Sequence, residues 1–222
     1  MVALLVLATF VLFIAVDVVL HREKYQFQVE AEAAKPIARP VTSPVVAGVA
    51  VPEKVAFHPG HTWARDEGDG RIRVGIDEFA ACLIGPADKV ETALRGRWVR
   101  QGAKGWSITT PKGSATLLSP VDGEVVAVNE KALADPKLLS SDPYGEGWLL
   151  ELRAPDFTVN LHNLLTGSFA RRWMEESVAT LRQTLSPTMQ PTMADGGRLA
   201  PGLASELPPE TWCAITRQYF LS

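Results

Sequence analysis

Between residues 88 and 128 the chain breaks into short apolar and β-branched runs, at 88–94, 97–100, 106–110, 114–118 and 123–128, with Gly or Pro between most of them. Strand-length runs separated by turn formers predict antiparallel strands, and many in succession predict a sandwich or flattened barrel. Arg71–Ile76 alternates polar and apolar residues, as a half-buried strand does, and Gly147–Leu152 reads as another strand. A helix is expected over Asp77–Ile84: Asp77 can cap its first turn, Phe79, Cys82 and Leu83 share a face, and Gly85-Pro86 ends it. ALADPKLLSS fits a turn or a short helix. The expected fold is therefore mainly β with flanking helices.

One of the turns carries an unusual residue. Ile108-Thr109-Thr110 and Ala115-Thr116-Leu117-Leu118 flank Pro111-Lys112-Gly113. Pro presets φ and Gly tolerates positive φ, so this is a tight hairpin with a single lysine, Lys112, at its tip.

The ends of the chain follow different rules. Val2 to Leu20 is apolar except for Thr9 and Asp17; as a helix its 19 residues reach about 28 Å, close to the roughly 30 Å of hydrocarbon in a bilayer. It lacks the basic start, short core and small-residue cleavage site of a secretory signal, so residues 1–20 read as a retained membrane anchor. The cations of His21-Arg22-Glu23-Lys24 place the remainder in the cytoplasm, on a single-pass protein of the inner or cytoplasmic membrane. Residues 25–51 end in KPIARPVTSPVVAGVAVP and read as a stalk, so the compact domain is expected over 52–185. Its last part, 161–185, changes period: Leu164, Leu165, Phe169, Trp173, Met174, Val178, Leu181 and Leu185 predict an amphipathic helix. A Pro/Gly-rich linker, 186–209, leads to an amphipathic tail, 210–222. There Trp212, Ile215, Tyr219 and Phe220 share one face, which should dock on its own domain or on a partner.

Composition and motifs exclude several functions. The net charge of −3 offers no broad basic surface, and the sequence shows no Lys/Arg cluster of the kind nucleic acid requires. Cys82 and Cys213 are far apart without a CxxC spacing, so neither a disulfide nor a zinc site is expected, and Cys82 reads as core packing. His58 and His61, in FHPGHTW, straddle a Pro-Gly turn without a third ligand, and no metal site is expected. P-loop, dinucleotide-binding and nucleophile-elbow patterns are absent, so no catalytic constellation can be assigned and the chain is not expected to be an enzyme.

The surroundings of Lys112 carry a resemblance. Downstream come PVDGEVVAVN (120–129) and DPYGEGW (142–148); upstream stand His61-Thr62-Trp63-Ala64-Arg65 and Val74-Gly75-Ile76. In that order and spacing they resemble the glycine cleavage system H protein, a lipoyl carrier family, from about Pro52 to Trp173. The resemblance implies a lipoyl domain, two small antiparallel sheets in a flattened sandwich. It also implies lipoate in amide linkage on Lys112. The partners it implies are a pyridoxal-phosphate glycine decarboxylase, an aminomethyltransferase, a flavin dihydrolipoamide dehydrogenase and a lipoyl ligase. Where the family reads Glu-Ser-x-Lys-Ala, this chain has Thr109-Thr110-Pro111-Lys112-Gly113, without the acidic residue three positions before the lysine. Relatives that carry biotin show Met on both sides of the lysine, which Pro111 and Gly113 replace here.

Two functions are consistent with these features. One is a membrane-tethered lipoyl carrier that shuttles an aminomethyl group or reducing equivalents on Lys112. The other is an unmodified lipoyl-like domain serving as a membrane adaptor or scaffold.

Overall fold

The computed structural model describes residues 44–185 and 207–221. The expected anchor 1–20, residues 25–43 of the expected stalk and most of the linker 186–209 lie outside the described residues. Among the described residues no helix is long and apolar enough to cross a membrane.

The strands are β1 (Val45–Val46), β2 (Val49–Ala50), β3 (Ala56–His58), β4 (Thr62–Gly68), β5 (Arg71–Ile76), β6 (Lys89–Thr92), β7 (Trp98–Val99), β8 (Lys104–Thr110), β9 (Gly113–Leu118), β10 (Gly123–Val128) and β11 (Leu150–Arg153). They form a six-stranded sheet in the order β3-β4-β5-β11-β10-β7, a three-stranded sheet β6-β8-β9, and the small hairpin β1-β2. Every described pairing is antiparallel. The helices are α1 (Glu78–Ile84), α2 (Glu130–Ala134), α3 (Leu138–Ser141), α4 (Phe157–Asn160), α5 (Gly167–Leu185) and α6 (Pro209–Phe220). The mainly β architecture with flanking helices agrees with the strand-and-turn pattern. Side chains of both larger sheets join one core, Ile72, Val74, Val125 and Leu152 from one and Trp106, Ile108, Ala115 and Leu117 from the other.

The two motifs that stood out in the sequence are clamps within this core. Asn129 ends PVDGEVVAVN, and its side-chain N–H donates to the carbonyls of Glu146 and Trp148, both at 2.7 Å, inside DPYGEGW. Asp142 accepts from the backbone N–H of Gly145 and Glu146. Tyr144 donates to Ala50 O at 2.8 Å and accepts from Glu78 N, and burial pushes its phenol well above the usual range. The motifs thus lock α1, β2 and the end of β10 to one turn.

β4 and β5 set their own close contact. Trp63 lies opposite Gly75, and its indole N–H donates to Ile76 O at 2.8 Å and Pro143 O at 3.1 Å. A Cβ at Gly75 would stand 2.9 Å from Trp63 Cε2 and Cζ2, within the ring's own volume. Gly75→Ala should cost about 1–3 kcal/mol, the usual range for overpacking. A urea midpoint unchanged by that substitution would contradict this packing.

Three expectations need correction. The folded part begins before residue 52, because VVAGVA closes a hairpin. Ala47 (φ 51°) and Gly48 (φ 92°) both take the positive φ of a type I′ turn, and Val49 and Val51 are buried. The Ala50 N–H donates to Glu78 Oε2, and Arg182 Nη2 donates to Ala47 O. The helix expected over 161–185 starts only at Gly167. Before it, Leu161–Asn163 forms one 3-10 turn, and Leu165 then exchanges two backbone hydrogen bonds with Phe57, which separates that turn from the helix. With that start, α5 buries Ala170, Met174, Val178, Leu181 and Leu185, and Phe169 falls outside the stripe at 76% exposed. Finally, the strand expected over 147–152 begins at Leu150, because the turn clamped by Asn129 runs through Trp148.

Candidate functional site

The hairpin β8-β9 runs in register from Lys104↔Leu118 to Thr110↔Gly113, with one irregularity between Lys104 and Trp106. Only Pro111 and Lys112 lie outside the ladder. Pro111 cannot take positive φ and Lys112 does not, so this two-residue loop is not one of the primed turns that match strand twist. The mismatch falls on Gly113, whose φ of 152° suits glycine. Thr110 closes the turn with its hydroxyl, which accepts from Lys112 N and donates to Gly113 O, each at 3.2 Å. The backbone of Lys112 is therefore fixed, while its side chain is half-exposed beside an exposed Pro111. Below the turn Trp106, Ile108, Ala115 and Leu117 are buried, so the tip stands on packed core. At Thr109, which replaces the family's acidic residue, the backbone carbonyl accepts from the backbone N–H of Asp88 at 2.8 Å, and Asp88 is itself exposed.

The tail comes to this hairpin. α6 packs along β9, with Trp212, Ile215, Thr216, Tyr219 and Phe220 buried. A Cβ at Gly113 would lie 3.1 Å from Trp212 Cζ3 and 3.4 Å from Cys213 Sγ. The tail thus docks on its own domain, one of the two destinations expected from its spacing, and does so against the lysine's turn. A shallow groove of about 340 Å³ separates the two elements, walled by Ser114, Thr116, Leu118, Cys213, Thr216 and Arg217. The aromatic spacing predicted that something covers the helix; nothing in the sequence pointed to β9.

At its far end α6 reaches a cluster that the sequence did not suggest. His61 is buried at φ 58°, and its Nδ1–H donates to Asp77 Oδ2 at 2.8 Å. Its ring stacks between Phe79 (4.1 Å) and Trp173 (4.6 Å), with Tyr219 of α6 at 5.8 Å. The other Asp77 oxygen caps α1 by accepting from Ala80 N. Both polar partners are consumed in holding helix to sheet, and among the described residues no three metal-ligating side chains gather. Burial, aided by nearby acids, pushes the Cys82 thiol up to about 12, which leaves it a packed, inert group.

His58 is different. Its Nδ1 accepts from Gly60 N at 3.0 Å, and burial, with His61 second, holds it below the ordinary 6.5. The unfolded chain takes up this proton at a higher pH than the folded one, so unfolding binds a proton in the interval between the two values. That share of stability is complete above the unfolded value and is lost as pH falls toward the folded one. Urea midpoints should therefore drop as pH falls below the ordinary histidine value of 6.5, by less in His58→Gln. An equal drop in both proteins would contradict the assignment.

Comparison with known proteins gives a consistent result. The family model for the glycine cleavage H-protein matches residues 55–177, from β3 into α5. A glycine cleavage system H protein of Idiomarina loihiensis is 38% identical over 115 residues, covering 52% of this chain and 88% of that protein. One from Aeromonas salmonicida is 33% identical over 126 residues, covering 57% and 97%. The crystal structure of a glycine cleavage system H protein from Mycobacterium marinum is 29% identical, covers 47% of this chain and 87% of that one, and gives a TM-score of 0.45. The matched span contains the hairpin and both clamping motifs, and α6 lies beyond it. The chain belongs to the glycine cleavage H-protein family.

Proposed function

We propose that this chain is a membrane-tethered lipoyl carrier and that Lys112 bears the lipoyl group. Proteins of the family are carriers rather than catalysts, and they hold lipoate covalently on a lysine. The observation that carries the reading is the half-exposed Lys112 on a two-residue turn whose backbone Thr110 fixes from both sides. A primary amine on a rigid projecting turn fits amide attachment: a ligase can reach it, and the base of the arm does not move with the arm. When bound, the dithiolane supplies a reversible disulfide that can accept an aminomethyl group and electrons. The chain supplies the rest. Paired strands aim the arm outward, the lysine stem extends its reach, and the loss of the lysine charge on acylation leaves no cation at the tip.

The partners that follow are the family's decarboxylase, aminomethyltransferase and dihydrolipoamide dehydrogenase, together with a lipoyl ligase. Residues 1–20 would hold the domain on the cytoplasmic face of the membrane, by the apolar run and the basic flank after it. The adaptor reading keeps one specific observation in its favour, Thr109 in place of the family's acidic residue. Reconstitution separates the two. Lipoylated full-length protein should support glycine decarboxylation with the three enzymes, and protein that loads with lipoate yet supports none would remove it from glycine cleavage. Carbonate washing of native membranes tests the tether, which release into the supernatant would overturn.

A further inference from the structure

The end of the three-stranded sheet opposite Lys112 carries a second surface that the carrier role does not use. Six residue steps of β8 separate Thr110, beside the lysine turn, from Lys104, about 20 Å at strand rise. Around Lys104 the loop from β6 to β7 and the turn after β7 enclose a depression of about 830 Å³, bordered by Leu94, Arg97, Trp98, Arg100 and Lys104. Leu94 is 75% and Trp98 56% exposed, unusual for two large apolar side chains bordering one depression. Arg95, Arg97, Arg100 and Lys104 are exposed as well, and among the described residues none of them forms an ion pair. Arg95, Arg97, Arg100 and Lys104 fall within ten residues of sequence, but that the loop before β7, the turn after it and the start of β8 border one depression with Leu94 and Trp98 is visible only in the fold.

The acids nearby are already engaged. Glu91 pairs with Lys89 at 2.7 Å, and the Lys89 hydrogen bond and charge, with help from Lys104, hold its carboxyl below the usual range. Glu124, which faces Trp98 across the β7-β10 pair, bonds to Arg153 at 3.6 Å. Asp122 accepts from Gln101 N and Asn160 Nδ2. The surface therefore presents uncompensated positive charge around two apolar side chains, although the whole chain is net −3.

We propose that this depression docks an acidic segment of a partner protein that inserts one large apolar side chain between Leu94 and Trp98. Exposed Trp and Arg around a concave site are the composition of an interface hot spot, and the ring of cations selects carboxylates around the inserted side chain. A flat lipid surface could neutralise the cations but would not fill a depression. A nucleic-acid strand needs a longer basic track with several stacking rings, where here there is one. Because the site lies at the far end of β8, a partner seated there leaves Lys112 free. The proposal does not depend on whether Lys112 is acylated.

The test uses full-length protein in phosphatidylcholine nanodiscs and a fluorescein-labelled peptide of glutamates flanking one phenylalanine, read by anisotropy. Saturable binding is expected, weakened about tenfold or more by Trp98→Ala and by the charge reversal Arg97→Glu/Arg100→Glu, and weakened between about 50 and 300 mM salt. Exchanging the central phenylalanine for serine should weaken it as well. A second arm adds vesicles of phosphatidylcholine with or without phosphatidylglycerol. Binding to the anionic vesicles that the same variants abolish, with none to the peptide, would overturn the proposal in favour of a membrane contact. Peptide binding indifferent to both variants would overturn it too. Circular dichroism of the variants guards against misfolding, since all the substituted side chains are exposed.

Discussion

Lys112→Arg should abolish carrier turnover in a reconstituted glycine cleavage assay while leaving the thermal midpoint of the domain close to wild type. The side chain is half-exposed, and the contacts that close the turn are made by Thr110 and by the backbone of Lys112, so the fold loses nothing when the amine is replaced. Guanidinium keeps the charge but is not acylated as a lysine amine is, so the effect separates a modification site from an electrostatic one. Residual turnover comparable to wild type would show that the attachment point lies elsewhere. A collapse of stability instead would show that Lys112 has a structural role these contacts do not reveal.

The second large effect concerns the tail. Trp212→Ala should destabilise the domain by about 3–5 kcal/mol, the range for truncating a buried aromatic. The indole is 1% exposed and lies against Gly113, where a hypothetical Cβ would already be 3.1 Å from it. Ending the chain after Leu185 should do at least as much, because Ile215, Tyr219 and Phe220 leave the core with it. Both changes should loosen the hairpin as well as lower the denaturation midpoint. Faster amide hydrogen exchange at Ser114 and Thr116 is the expected signature. An unchanged midpoint in both would mean that the tail rests on the domain without holding it.

The sequence carried the β framework well, for reasons visible at particular residues. Runs such as Arg71–Ile76 alternate because one face is buried, and Pro111-Lys112-Gly113 can only be a turn. Asp77 at the start of its helix is a residue whose short carboxylate bonds backbone N–H groups, which is why it could be recognised as a cap. Asn129 bonds backbone in the same way, but the carbonyls it clamps lie in another motif and its role was not read. What was missed depends on long-range contacts. VVAGVA was read with the prolines before it, yet a type I′ hairpin needs only Ala47 and Gly48 at positive φ and a partner, which Tyr144 and Glu78 provide. The phase of α5 follows from where it starts. That start is set by Leu165 pairing with Phe57, 108 residues earlier in the chain, and could not be seen locally. Phe169, by contrast, lies about 140° round the helix from Met174 and was separable from the Met174–Leu185 stripe by helical geometry alone. His61 looked like a turn histidine because neither Asp77 nor Trp173 is near it in sequence. The candidate lysine was legible; its neighbours Trp212 and Cys213, a hundred residues away, were not.

Lys112 is proposed to carry a lipoyl group in the native host, and the intact mass of the protein purified from that host tests this most directly. A mass increment of one lipoyl amide is expected in the wild-type protein and none in Lys112→Arg. An unmodified wild-type mass, in cells whose other lipoyl proteins are loaded, would contradict it and leave the adaptor reading in its place.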